Sequence, residues 1–290
     1  MEKIGFIGLG IMGRPMAKHL LKAGYPLFIL SSSAAAAELK EAGATLSETP
    51  AAIAKETDII ITMLPDSPEV ESMVTGKGNL LQSMKPGTLF IDMSTISPAT
   101  SIDLFNKLIH RDIEALDAPV SGGQTGAEAA TLSIMIGGNE SAFRRAFPVF
   151  EKMGKNIVHI GKPGAGQTAK ACNQIIVGMT IQAVAEALTL AKKSGVDVAK
   201  ARSALLGGFA QSKILDLHGQ RIIDRNFKPG FKIRLHRKDM QIALNAGKDL
   251  SVPLPGSSVV ASQMDAILAE GKGDLDHSAL ALYLESVSGL

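Results

Sequence analysis

The sequence predicts an α/β nucleotide-binding domain, doubly wound with a mostly parallel sheet, followed by an all-α domain joined to it through a long helix. Three observations carry this reading. A strand, a glycine turn and a helix open the chain at Lys3–Gly24, strand and helix patterns then alternate to about residue 160, and from Gln167 onward only helical periodicity persists. The implied organisation is a nucleotide domain over 1–163, a connecting helix over 164–194 and a helical domain over 195–290.

Composition sets the class. The 290 residues are 46% hydrophobic, enough for a sizeable core, and a net charge of +2 with both signs interspersed leaves no basic stripe for a phosphate backbone. Nucleic acid is therefore not an expected partner. The single cysteine, Cys172, forms no intrachain disulfide and is expected to face the core, and the six histidines show no close metal-ligand spacing, so no metal is expected. The chain enters a strand pattern at Met1–Phe6, with no charged region followed by an apolar one, and no run of about 18 apolar residues suggests a membrane span. A soluble, cytoplasmic-type protein is expected, without a membrane partner.

The first strand, Lys3–Ile7, runs into Gly8-Leu9-Gly10-Ile11-Met12-Gly13, with Pro15 in the first helical turn and a stop at Gly24. In such a turn the first glycine permits the bend, the second lets backbone N–H groups approach a pyrophosphate, and the third lets the helix pack on the strand. A glycine turn without a ligand is the bland alternative; the flanking strand and helix favour a dinucleotide. The second strand, Pro26–Leu30, ends in Ser31-Ser32-Ser33, where an enzyme selective for NAD usually carries Asp or Glu for the ribose 2′-hydroxyl. No acid repels a 2′-phosphate here and hydroxyls can donate to one, although no Arg stands at the tip, so the residues favour NADP(H) over NAD(H). Ser33 is also expected to N-cap a helix over 34–42.

Helices around Thr49–Lys55, from Ser67 and over Pro98–Leu108 alternate with strands over Asp58–Leu64 and Thr88–Met93. Ligands of such sheets lie at the carboxyl ends of the strands, so Met63-Leu64-Pro65 and Ser94-Thr95 are expected to line the cofactor. Later strands are read over Ile113–Ala118, Leu132–Ile136 and Ile157–Ile160, with a helix over Ser141–Met153 bent at Pro148. After the first of these strands, Ser121-Gly122-Gly123 sets backbone N–H groups beside a hydroxyl, a pattern that suits a carboxylate or carbonyl oxygen and equally suits a simple turn.

Gly164-Ala165-Gly166 then opens a helix reaching about Lys193 through Ile175, Ile176, Met179, Val184, Leu188 and Leu190, stopped by Gly195. Lys170, Asn173 and Gln174 lie at i, i+3 and i+4 of it and share a face. A lysine here is either a solvated surface group or, in a closed cleft near a helix N-terminus, a proton donor whose pKa falls toward the working pH. Its place between the nucleotide domain and the helical half favours the donor. Helices are expected over Val198–Leu206, Ser212–Asp224, His236–Leu250, Gly256–Glu270 and Asp276–Val287; Lys238-Asp239 is a solvated charge pair or a contribution to the site, and Asp276-His277-Ser278 is an N-cap with a structural histidine.

These motifs, in this order over essentially the whole chain, resemble the β-hydroxyacid dehydrogenases. The residues that carry the resemblance are Gly8 to Ala17, Asp117-Ala118-Pro119-Val120-Ser121-Gly122-Gly123, Gly164-Ala165-Gly166 leading to Lys170, and Lys238-Asp239. The resemblance implies a Rossmann domain, a connecting helix and a helical domain, in a homodimer or homotetramer. It also implies that Lys170 is catalytic, that Ser121, Gly122 and Gly123 hold the substrate carboxylate, and that Thr95 and Lys238 touch cofactor or substrate. Many members carry Asn four residues after the lysine; here Asn173 is at plus three and Gln174 at plus four, and Asn173 is taken as the substrate-orienting amide. The chain also departs from the Asp-Arg or Asn-Arg pair common in the family at Ser31-Ser32. Within the family, Gly123 completing Ser-Gly-Gly, Asn173-Gln174-Ile175-Ile176-Val177, Arg225 to Phe231 and Asp276 to Leu280 resemble the members that reduce a small aldehyde acid, and that resemblance implies tartronate semialdehyde reduced to glycerate. Succinic semialdehyde, glyoxylate and 3-hydroxyisobutyrate are the alternatives within the family, and a non-catalytic NAD(P)-binding regulator is the alternative outside it.

Overall fold

The computed structural model describes residues 1–78 and 80–290, which separate into two compact units, Met1–Lys170 and Ala171–Leu290. The first unit runs β1 (Ile4–Ile7), α1 (Gly13–Lys22), β2 (Leu27–Leu30), α2 (Ala36–Glu41), β3 (Thr45–Ser47), α3 (Pro50–Glu56), β4 (Ile59–Thr62), α4 (Ser67–Thr75), β5 (Leu89–Asp92) and α5 (Pro98–Ile109). It continues with β6 (Glu114–Asp117), β7 (Val120–Ser121), α6 (Gly123–Glu128), β8 (Leu132–Gly138), α7 (Glu140–Phe150) and β9 (Gly154–Gly161). The sheet order is β3-β2-β1-β4-β5-β6-β8-β7, with β9 added on β8.

Strands β1, β4 and β5 are buried along their whole length because helices cover both faces of the sheet. The period of two divides their side chains between two cores. Phe6, Ile61 and Ile91 join Leu20, Leu132 and Phe150 on one face, while Ile7, Ile60 and Phe90 join Ile53, Val70 and Leu104 on the other. Several helices start as their sequences dictate: Thr49, Asp66 and Ser97 accept from Ala52 N, Ser67 N and Ala99 N, each with a proline in the first turn that follows. The five strand pairs from β3 to β6 are parallel, whereas β8 runs antiparallel to both β6 and β7.

Helix α8 (Ala165–Lys193) begins in the first unit and continues into the second, which adds α9 (Val198–Leu206), α10 (Lys213–Ile223), α11 (Ile233–Asp249), α12 (Pro255–Ala269), a 3-10 turn (His277–Ala279) and α13 (Leu280–Val287). Ile181, Met240, Met264 and Leu280 centre one core of this unit and Leu188, Leu215 and Ala281 a second. The architecture is thus an α/β domain with a mostly parallel sheet and an all-helical C-terminal part.

Several expectations need correction. Strands β3 and β7 and helix α6 are absent from the sequence reading: two of them have three residues or fewer, too short for periodicity, and α6 is built from Gly-Gln-Thr-Gly-Ala-Glu, a poor helix sequence held by its surroundings. Ser33 does not cap α2. The helix starts at Ala36, and Ser33 Oγ instead accepts from Ala35 N at 3.4 Å inside the preceding turn. Helix α11 starts at Ile233, three residues earlier than expected, which moves Lys238 to its second turn. Cys172 is exposed, because the buried side of α8 is taken by Ala171 and Gln174. By length and composition α8 is apolar enough to cross a membrane, contrary to the sequence reading. Its buried positions nevertheless include Gln167, Lys170, Gln174 and Gln182, each hydrogen-bonded to another protein group, the pattern of a core helix.

Candidate active site and cofactor cradle

The glycine turn is built by close approach of backbone to backbone. Gly8 sits at φ +102, and a Cβ there would lie 2.2 Å from Met63 O; a Cβ on Gly13 would lie 1.9 Å from Gly8 O and 3.0 Å from the Phe6 ring. Leu9, Ile11 and Met12 complete the turn. Met12 supplies no side-chain cap to α1 and the first helical turn carries no acid, so no carboxylate there competes with an anion for the positive end of the helix dipole. Replacing Gly13 with alanine should weaken cofactor binding at least tenfold and cost about 1–3 kcal/mol of stability, because the clashing atoms are backbone. A cofactor titration and a denaturant melt on the same preparation measure both.

A cavity of about 200 Å³ adjoins this turn, lined by Gly8, Leu9, Leu30, Ser32, Ser33 and Leu64. The structure therefore brings together the turn, the serine tip and the β4 end that the sequence nominated separately. Apolar walls and two hydroxyls suit the adenosine half of a dinucleotide, with the pyrophosphate on α1. Ser31 and Ser32 are exposed, and Arg14 and Lys18 of α1 both pair with Glu38 of α2, the helix after the serines. Those two cations and the hydrogen bond from Lys18 above all hold the Glu38 carboxyl below its usual range, even though partial desolvation opposes them. The strand ends are stitched to one another: Met63 N donates to Ile7 O at 2.8 Å and Leu64 N to Ser94 Oγ at 2.8 Å. Pro65 is exposed and Thr95 half-buried beyond them.

At the end of β6, Asp117 is buried and works as a cap for α8. Its Oδ1 accepts from Gly164 N and its Oδ2 from Gln167 N, both at 2.8 Å. Gly166 is required by this contact, since a Cβ on it would lie 2.4 Å from Met135 O and 2.8 Å from an Asp117 carboxylate oxygen. Gln167 adds two further ties, accepting from Ile96 N and donating to Ser94 O. Beside Asp117, the Asp92 carboxyl accepts from Thr62 Oγ1 and Ser94 N. Burial pushes Asp92 up to about 6 against those hydrogen bonds, with the Asp117 charge adding to the rise; burial also raises Asp117, opposed by the N–H groups of α8.

One helical turn after this anchor, Lys170 is buried and its Nζ donates to Val120 O at 2.7 Å. Val120 and Ser121 form β7, and Gly122 at φ +141 and Gly123 at φ +61 turn the chain into α6. The structure thus brings the ammonium group to the Ser-Gly-Gly turn fifty residues before it. Neither Asp117 nor Gln167 was singled out as an anchor; the usable signal was an acid ending a strand ahead of a glycine-bounded helix start.

The second unit holds its own polar group. Asn173 Nδ2 donates to Gln174 Oε1 at 2.7 Å, Gln174 Nε2 donates to Asp239 Oδ2 at 2.5 Å, and Lys238 Nζ pairs with Asp239 Oδ1 at 2.9 Å. Asp239 and Gln174 are buried. Three of the six histidines also meet, contrary to the spacing argument. His218, His277 and His236 come from α10, the 3-10 turn and α11, and His218, Asp276 and His277 each present a ligand-type atom within 4.8 Å of the others. Both Asp276 oxygens already accept hydrogen bonds, Oδ1 from Ser278 and Oδ2 from Gly230 N and Phe231 N, and the Arg221 guanidinium lies 3.3 Å from Oδ2. A fixed cation and a filled carboxylate leave this group suited to hydrogen bonding rather than to a metal ion.

Residues 3–161 match the family model described as the NAD binding domain of 6-phosphogluconate dehydrogenase, and residues 164–284 match that described as NAD-binding of NADP-dependent 3-hydroxyisobutyrate dehydrogenase. The chain is 46% identical over 283 residues to the 2-hydroxy-3-oxopropionate reductase of Escherichia coli (strain K12), covering 98% of this chain and 97% of that protein. It is 37% identical over 290 residues to the 2-(hydroxymethyl)glutarate dehydrogenase of Eubacterium barkeri, covering 99% and 96%. Among solved structures, a Mycobacterium tuberculosis 3-hydroxyisobutyrate dehydrogenase with L-serine superposes with a TM-score of 0.90 at 35% identity, covering 98% of this chain and 99% of that one.

Proposed function

Because this chain belongs to the β-hydroxyacid dehydrogenase family, we propose that it reduces tartronate semialdehyde to glycerate, with NADP(H) favoured over NAD(H). It is an NAD(P)-dependent oxidoreductase acting on a CH–OH group. The observation that carries the site assignment is the Lys170 Nζ contact with Val120 O, which sets one acid beside the Ser121-Gly122-Gly123 turn. The substrate assignment rests on the 46% identity to a reductase of 2-hydroxy-3-oxopropionate, another name for tartronate semialdehyde.

In this reading Gly8 to Gly13 and the α1 N-terminus hold the pyrophosphate, Ser31 and Ser32 meet the ribose, and Met63, Leu64, Pro65, Thr95 and Lys238 line the cofactor. When bound, NAD(P)H supplies a hydride to the aldehyde carbon. Ser121 Oγ and the N–H groups of Gly122 and Gly123 fix the substrate carboxylate, and Lys170 gives a proton to the oxygen that becomes the alkoxide; in the reverse direction it takes that proton back. Gln174 is engaged at both ends of its side chain, by Asn173 and by Asp239. That commitment supports Asn173 as the amide that meets the substrate, with Gln174 holding it. The same reading takes the protein as a cytoplasmic homo-oligomer.

Assay of small aldehyde acids with NADPH and with NADH tests the proposal. Tartronate semialdehyde should give the highest kcat/KM, with NADPH preferred; a higher value for succinic semialdehyde, glyoxylate or the semialdehyde related to 3-hydroxyisobutyrate would reassign the substrate. The cofactor preference rests on the absence of an acid at Ser31-Ser32-Ser33 and fails if NADH gives the higher kcat/KM.

A further inference from the structure

Four contacts run in series through the second unit. His236 Nε2 faces the backbone oxygen of Gln174 at 3.3 Å, His236 Nδ1 faces His277 Nδ1 at 3.0 Å, His277 Nε2 faces His218 Nε2 at 3.2 Å, and His218 Nδ1 lies 3.5 Å from Asp276 Oδ1. The rings stack edge to face or tilted, with centroids 4.6 and 5.0 Å apart. His236 and His277 are buried, and Gly178 gives His236 room, since a Cβ there would lie 3.4 Å from the His236 ring.

The proton count along this series is constrained by its ends. A carbonyl oxygen and an ionised carboxylate only accept, and each nitrogen-to-nitrogen contact holds a single proton. Filling all four contacts therefore takes four protons on three rings, one more than three neutral imidazoles carry. With three protons only, one contact goes unfilled: a bare His218 nitrogen faces the buried Asp276 carboxylate, a bare His236 nitrogen faces the Gln174 oxygen, or two bare nitrogens meet between rings; a fourth proton fills every contact and makes the 3.5 Å approach to Asp276 an ion pair. The extra proton satisfies every contact wherever it resides, because shifting it from His218 to His277 to His236 reverses each ring-to-ring bond without breaking one.

We propose that His218, His277 and His236 share one excess proton as a buried relay, and that through it His236 and His277 are positioning residues for Gln174 and hence for the Asn173 amide. The assignment of Asn173 and Gln174 to the substrate rests on the function proposed above; the shared proton does not. At one end of the relay Arg221 lies 3.3 Å from Asp276 Oδ2, and at the other the Gln174 side chain donates to Asp239, which pairs with Lys238. Burial opposes the ionised form of Asp276, yet the hydrogen bond from His218, the charge on His277 and further N–H and O–H donors hold its carboxyl well below the usual range. His277 is held well below the ordinary imidazole value, first by burial and then by the two flanking histidines. A second excess proton would set N–H against N–H at one ring-to-ring contact and break the series there.

Nitrogen-15 NMR of the wild-type imidazoles should find one cationic equivalent spread over these three rings near neutral pH, and three neutral rings would overturn the shared proton whatever the substrate is. His277→Gln and, at the more exposed end, His218→Gln should each raise KM for the aldehyde acid about tenfold, leave cofactor Kd unchanged and displace the acid limb of kcat/KM. Folded variants whose melting temperature falls while KM and the acid limb stay in place would reduce the array to a structural role. Failure of tartronate semialdehyde as substrate would show in the aldehyde panel, and leave the NMR count untouched.

Discussion

Replacing Lys170 with alanine should lower turnover by roughly 10²–10⁴-fold, the range for loss of a positioned proton donor, with cofactor affinity unchanged. The separation is expected because the groups proposed to bind the dinucleotide are the β1–α1 turn, the serine tip, the β4 and β5 ends and Lys238, whereas Lys170 Nζ donates to Val120 O beside the Ser-Gly-Gly turn. Loss should appear equally in kcat and kcat/KM if Lys170 acts only on the developing alkoxide. Arginine at this position is a sharper test. It keeps a charge but does not release a proton near neutral pH, so it should restore little. Near wild-type turnover in Lys170→Ala, measured on enzyme that binds NADPH normally, would remove Lys170 from the proton-transfer role.

Replacing Asp117 with asparagine should cost about 3 kcal/mol of stability and slow catalysis without Lys170 being touched. Both carboxylate oxygens accept from backbone N–H groups of the α8 start. An asparagine keeps one acceptor and turns a donor toward the other N–H, leaving a buried amide unsatisfied at the anchor of a 29-residue helix. The carboxylate also carries the negative charge that the helix N-terminus favours. Because Lys170 lies one turn beyond, a loosened anchor moves the ammonium group relative to Val120. Thermal or denaturant unfolding reads the first effect, and kcat at saturating cofactor the second; unchanged values in both would mean that Gln167, with its ties to Ile96 and Ser94, holds the helix start alone.

The legible parts of this protein were those written in short range. Strand, turn and helix from Ile4 to Lys22 follow from the spacing of Gly8, Gly10 and Gly13, and the buried strands Ile59–Thr62 and Leu89–Asp92 follow from unbroken apolar runs. Lys170 and the Ser121-Gly122-Gly123 turn could each be nominated from local pattern. Three kinds of feature were not legible. Strands β3 and β7 are too short to have a period, and the antiparallel direction of β8 depends on which neighbours it finds. The facing of Cys172 was misjudged because apolar character alone does not fix the phase of a helix that is apolar on several sides.

The sequence by itself determined the fold class and nominated the dinucleotide turn and the groups proposed to bind a carboxylate or move a proton, since these depend on residue type and on spacings of a few residues. Only the tertiary structure decided that Asp117 caps α8, that Lys170 reaches Val120 and that three histidines far apart in the chain meet at Asp276. Those are contacts across 40 to 60 residues, made by buried polar groups that must find partners once water is excluded, and no local pattern records which partner each will find.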